Sequence, residues 1–124
     1  MLAERIELGS MGQARKAIEA LGSSNSEVMA ARAIHINIVL RRVPGNDARI
    51  IKAHYNDVGA EAAISNRAYK GEEGVMTDMI VMGTVYQHRE VRRVLGESQA
   101  SIQRWIDAIE AVVNTAPETM SRSD

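Results

Sequence analysis

The chain has 124 residues, of which 45% are hydrophobic and 25% charged, and its formal net charge is −1 at pH 7. This composition is typical of one folded domain and excludes a disordered chain. Cysteine is absent, which excludes a disulfide framework, a thiolate metal site and a cysteine nucleophile. The near-neutral charge also differs from the basic charge typical of proteins that bind nucleic acid through bulk electrostatics.

The beginning of the chain carries the acidic residues Glu4 and Glu7, where a secretory signal would need an apolar run. No apolar stretch is long enough to span a bilayer. We therefore expect a cytoplasmic protein without membrane contact.

Helix-forming residues are common, phenylalanine is absent and there are only two prolines, which favours an all-α fold. A first helix is predicted over residues 10–21 and a second over residues 27–42. The second helix has a stripe of apolar residues at helical spacing. This stripe consists of Met29, Ala33, Ile36 and Leu40. A break at residues 43–47 precedes a third predicted helix over residues 48–58.

The second half of the chain continues this pattern, with a further helix predicted over residues 60–70. Residues 75–85 fit either a buried strand or a helix, because periodicity cannot distinguish the two in so short a run. We assign a helix there, since no other segment offers a strand to pair with. Two last helices are predicted over residues 87–95 and 99–113.

The expected architecture is thus a single all-α domain of about five to six helices over residues 1–114. Residues 115–124 are predicted to be a disordered polar tail.

Residues 88–107 predict two short helices joined by a tight turn. Gly96 is expected at positive φ in this turn, and Ser98 is expected to cap the second helix. Ile102 and Trp105 would then return to the interior, with Trp105 buried. The outward face of the second helix would carry Gln99, Ala100, Gln103 and Arg104. A helix of this kind fits the major groove of DNA, where Gln and Arg read base edges.

The string from Leu95 to Trp105 resembles the helix-turn-helix of phage and bacterial transcription regulators, which often have a similar Leu-Gly-x-Ser-Gln-x-x-Ile-x-x-Trp pattern. The chain as a whole is loosely similar to the small late-gene antiterminators of lambdoid phages. One position departs from the family, because Arg92 stands where a small residue usually lies between the helices. Arg92 is therefore expected to swing outward or to open the helix crossing.

The resemblance implies a sequence-specific regulator of transcription that binds double-stranded DNA as a homodimer. RNA polymerase is a further candidate partner. Bases would be contacted by the second helix, and phosphates by Arg89 and Ser98. The DNA-binding residues implied are Arg89, Ser98, Gln99, Ala100, Gln103 and Arg104. We expect no catalytic activity, no metal and no cofactor, because no acid, base and nucleophile converge.

The alternative is that the helix–glycine–helix corner only builds a core. The chain would then be a helical protein–protein interaction module, such as a phage inhibitor or an assembly adaptor, without DNA binding. The near-neutral charge favours this alternative. So does the predicted alignment of Met76, Met79 and Met82 on one helical face.

Overall fold

The computed structural model of the protein describes the backbone of residues 2–119 and the side chains of residues 2–115. The fold mixes helices with a three-stranded sheet. In chain order the elements are α1 (Met11–Glu19), α2 (Ser26–Ala33), β1 (His35–Pro44), α3 (Gly45–Asp57), β2 (Glu61–Ala63), α4 (Asn66–Tyr69), β3 (Met76–Thr84), α5 (Val85–Leu95) and α6 (Ala100–Thr119).

The sheet is antiparallel, with β3 in the centre between β1 and β2. Burial alternates along β3: Thr77, Met79 and Val81 are buried, whereas Asp78 and Ile80 are exposed. Because successive side chains of a strand point to opposite faces, one face of the sheet lies against the core and the other faces outward.

The prediction of an all-α fold is therefore wrong. The helix predicted over residues 27–42 divides into α2 and β1, and the segment 75–85 is β3. The two apolar runs are each other's partners, since β1 pairs with β3 along most of its length. Cross-strand packing of β-branched side chains outweighs helix propensity here.

The helix predicted over residues 60–70 is also wrong, because β2 and the short α4 occupy that segment. The predictions for α1 and α3 are confirmed to within three residues at each end. The last two helices are present as α5 and α6, and α6 continues to Thr119. It thus includes the first residues of the predicted tail, while residues 120–124 lie outside the described residues.

Two helices begin directly where strands end, and this places them against the core face. α3 follows β1 and α5 follows β3 without an intervening loop. Thr84 and Gln87 form a capping box that starts α5, which satisfies amides that would otherwise lack partners. Helices α3, α5 and α6 share the core with the sheet. The largest fully buried side chains of this core include Ile51, Tyr55, Met79, Ile102 and Ile106.

A β-bulge interrupts β1 between Leu40 and Val43. Arg42 in this bulge has a φ of 55°, in the left-handed region that side chains with a Cβ rarely adopt. Its amide donates a hydrogen bond to the Asp78 carboxylate at 2.9 Å, which holds the bulge against β3. The bulge therefore combines a backbone strain with a specific hydrogen bond.

Replacing Arg42 by glycine should relieve that strain. We expect Arg42→Gly to raise the free energy of unfolding by about 1 kcal/mol, because glycine adopts a positive φ without steric cost. The matched change Arg41→Gly, at the preceding position without a positive φ, should lower the free energy of unfolding by about 0.5–1 kcal/mol. Urea denaturation measures both, and a loss of stability in both variants would contradict strain at Arg42.

Candidate interaction surfaces

The segment that resembles a helix-turn-helix forms two helices, α5 and α6, with a four-residue connection between Leu95 and Ala100. Gly96 has a φ of −65°, so the prediction of a positive φ is wrong. A Cβ on Gly96 would lie 2.7 Å from the Arg92 carbonyl oxygen, so glycine permits a close approach instead. The carbonyl of Gln99 accepts the first amide bonds of α6, which makes Gln99 rather than Ser98 the N-cap residue.

The two helices lie side by side in opposite directions. The Arg92 guanidinium contacts Asp107 at 3.0 Å and Glu110 at 3.0 Å, both well inside α6. Arg92 is half-buried and bridges the two helices. In a helix-turn-helix the helices cross steeply and touch mainly near the turn. The contact here continues along the helices, which is the arrangement of an αα-hairpin.

The structure brings five of the six predicted DNA-binding residues together at the start of α6. Gln99, Ala100 and Arg104 are exposed, whereas Ser98 and Gln103 are half-buried. Arg89 instead lies beside Asn114, because both line one cavity between α5 and α6. Asn114 is about 22 Å along the helix axis from Gln99 at 1.5 Å per residue. Arg89 is therefore separate from the others.

Two of the four arginines in this segment have acidic partners. Arg93 contacts Glu90 at 3.0 Å, and Arg92 is held by its two carboxylates on α6. Arg89 and Arg104 lack an acidic partner within the described side chains, and the guanidinium of Arg104 lies over the ring of Trp105. Trp105 is half-buried, not fully buried as predicted. The surface around α6 is consequently not strongly positive.

A buried hydrogen-bonded pair, Tyr55 and His88, joins α3, α5 and β1. The Tyr55 hydroxyl lies 2.8 Å from His88 Nδ1, and His88 Nε2 lies 2.9 Å from the Ile36 carbonyl oxygen. A carbonyl only accepts, so Nε2 carries the proton and Nδ1 accepts from the tyrosine. Burial lowers the pKa of His88 and raises that of Tyr55, which keeps both groups neutral.

The polar atoms of this pair are satisfied within the fold. Its members are among the buried residues, and each polar atom named above has a partner inside the protein. A cavity of about 160 Å³ beside the two rings is lined by both apolar and charged side chains of α5 and α6, among them Val91, Ile106, Arg92 and Glu110. The sequence does not predict this pair, because no local pattern connects positions so far apart.

The outer face of the sheet carries a row of apolar side chains. Val39 on β1 lies opposite Ile80 on β3, which lies opposite Ala63 on β2. We call these three residues the outer row. Val39 and Ile80 are 45% and 43% exposed, although β-branched residues usually bury in a sheet. The residues of the outer row were not predicted as a site, because the segments that contain them were expected to be helices.

Within residues 2–115, whose side chains the structure describes, no group of three His, Asp or Glu side chains could hold a metal ion. None of the helices in this part of the chain is long and apolar enough to cross a membrane. No family model matches the chain. Comparison with curated proteins finds no match, and comparison with solved structures finds none either.

The neutral state of His88 predicts a pH dependence of stability. An unfolded histidine gains a proton as the pH falls through about 6.5, whereas His88 in the fold resists protonation. Stability should therefore fall between about pH 7.5 and about pH 5.5, with a slope of up to about 1.4 kcal/mol per pH unit.

The variant His88→Gln keeps a donor and an acceptor but cannot titrate, so its stability should vary less over this range. Chemical denaturation at a series of pH values measures both proteins. Equal slopes in the wild type and His88→Gln would rule out a buried neutral His88.

Proposed function

We propose that the protein is a non-catalytic protein–protein interaction module that binds its partner through the outer face of the sheet. The observation that supports this proposal is the outer row, in which Val39, Ile80 and Ala63 lie side by side and exposed. Contiguous apolar side chains on a protein surface commonly mark binding sites. The core face of the same sheet is already covered by helices, whereas the outer face has no second layer in the described part of the chain.

The partner element that fits this face best is an amphipathic helix. The three strands span two inter-strand spacings, or about 10 Å, which matches the 10–12 Å diameter of a helix with its side chains. Helices already cover the core face in this way, since α3, α5 and α6 pack on it. A partner helix would complete a second such layer.

Charged side chains frame the outer row on two sides. Arg41 and Asp78 form an exposed ion pair at 3.2 Å on one side. At the edge of β2, the exposed Glu61 carboxylate contacts the mostly buried Lys52 ammonium at 2.9 Å. Since Arg41, Asp78 and Glu61 expose charges of both signs around the row, the expected helix has an apolar stripe flanked by charges of both signs. A polar rim around an apolar centre is the usual anatomy of a non-obligate interface.

The test is a selection of displayed amphipathic helical peptides against the wild-type protein. Enriched peptides should lose binding by about tenfold or more on Ile80→Lys, because a lysine at the centre of the row must be desolvated. Val28→Lys, which changes an exposed apolar residue on α2, is the matched control and should have no effect. Absence of enriched helices, or equal binding to Ile80→Lys, would exclude this face as the site.

Sequence-specific DNA binding is the second candidate. It is supported by the exposure of Gln99 and Arg104 at the start of α6, where neither contributes to the core. Selection from a random DNA pool should then yield a preferred sequence, and Arg104→Ala or Gln99→Ala should each weaken its binding by about 1–3 kcal/mol. Arg93→Ala, which removes a guanidinium already paired with Glu90, is the control and should have a mild effect. If no sequence is enriched, this candidate is excluded.

A further inference from the structure

The two edges of the sheet differ in how their outward backbone groups are satisfied. On β2, the outward amide of Ala62 donates to the Glu61 carboxylate at 2.9 Å. The Lys52 ammonium donates to the Ala62 carbonyl oxygen. The same ammonium contacts Glu61 at 2.9 Å, so these two side chains together close the edge. An edge closed in this way offers little to another strand.

The edge of β1 has no such closure. The amide of Val85 donates to the carbonyl of Ile34, so Ile34 and the alternate residues that follow it direct their backbone groups toward β3. The intervening residues direct their amides and carbonyls outward. They are His35, Asn37, Val39 and Arg41. Within residues 2–119 none of these outward groups has a hydrogen-bond partner in the protein.

The surroundings leave this edge accessible. The side chains of His35, Asn37, Val39 and Arg41 are all exposed, and so are residues 2–7 of the preceding chain. Ile36 is only half-buried although it points to the core face. Because an unpaired strand edge presents a row of amides and carbonyls that can pair with another strand, this open edge next to an incompletely covered isoleucine is a site for strand addition.

We propose that a second copy of this chain pairs with the open edge, β1 against β1 in antiparallel orientation, around a two-fold axis at Ile38. This register alone pairs all four outward residues, with His35 opposite Arg41 and Asn37 opposite Val39 of the other copy. On the core face it places Ile36 opposite Leu40, so apolar side chains meet apolar ones. No like charges lie directly opposite, which would be destabilising.

The bulge limits the pairing to the first part of β1. Arg42 turns the backbone into the left-handed region, and Pro44 occupies an outward position where it has no amide to donate. Bulges and prolines are devices that prevent uncontrolled edge pairing. Because the bulge and Pro44 lie only at the end of β1, residues 35–41 remain available to the second copy.

Sedimentation velocity over a range of protein concentrations tests the pairing. The wild type should approach twice the chain mass of 13.6 kDa. Asn37→Pro removes an outward amide in each copy and should raise the dissociation constant by about tenfold or more. Ile80→Lys, on the central strand, should leave it unchanged, so failure of this proposal and failure of the proposed function are distinguishable. A wild type that stays monomeric throughout overturns the proposal.

Disulfide trapping tests the register without relying on the folding of a proline variant, since the chain has no cysteine of its own. Under a mild oxidant, the double variant Asn37→Cys/Val39→Cys should form covalent dimers. Neither single variant should form covalent dimers, because the two copies of one cysteine meet only when the two-fold axis passes through that residue. Trapping by a single variant, or none by the double variant, overturns pairing around Ile38.

Discussion

The alternation of buried and exposed residues along β3 is the constraint on which the rest of the structure depends. Because β3 is the central strand, the burial of Met79 and Val81 fixes which face of all three strands meets the core. The register is specified strongly, since a slip by one residue would move every apolar side chain to the opposite face. The helices then share one face, and the outer face and the β1 edge remain for partners.

The buried hydrogen-bonded pair of Tyr55 and His88 stabilises the packing of the helices on the sheet. It connects α3, α5 and β1 through two hydrogen bonds. The pair contacts β1 through the Ile36 carbonyl oxygen, so it fixes the strand whose outward edge is proposed to bind. A division between a fixed core and accessible edges is usual for small interaction domains.

The sequence allows much of the helical part of the fold to be predicted, but not the sheet. Ile34, Ile36, Ile38 and Leu40 alternate with polar or exposed residues, which is the period of a strand, yet some of them also fit a helical stripe. The prediction of a helix over residues 75–85 depends on the absence of a partner strand. The prediction of a helix over residues 27–42 removes that partner, because β1 lies in this range. Pairing between segments so distant in sequence is not visible in local periodicity.

The site was predictable to a smaller extent. The exposure of Gln99, Ala100 and Arg104 follows from the helical pattern of α6 and is observed. The packing of α5 against α6 was not predictable from the short motif, because it depends on Arg92 and its carboxylate partners farther along the chain. The outer row is defined by the pairing register of the three strands, which local periodicity does not predict.

Amide hydrogen exchange of β1 at increasing protein concentration tests most directly whether the sheet binds through its uncovered parts. The outward amides of Asn37 and Val39 should exchange rapidly in dilute solution and become protected as the concentration rises. The amides of Ile36 and Ile38, which point toward β3, should be protected throughout. Outward amides that exchange rapidly at every concentration would contradict pairing at the open edge.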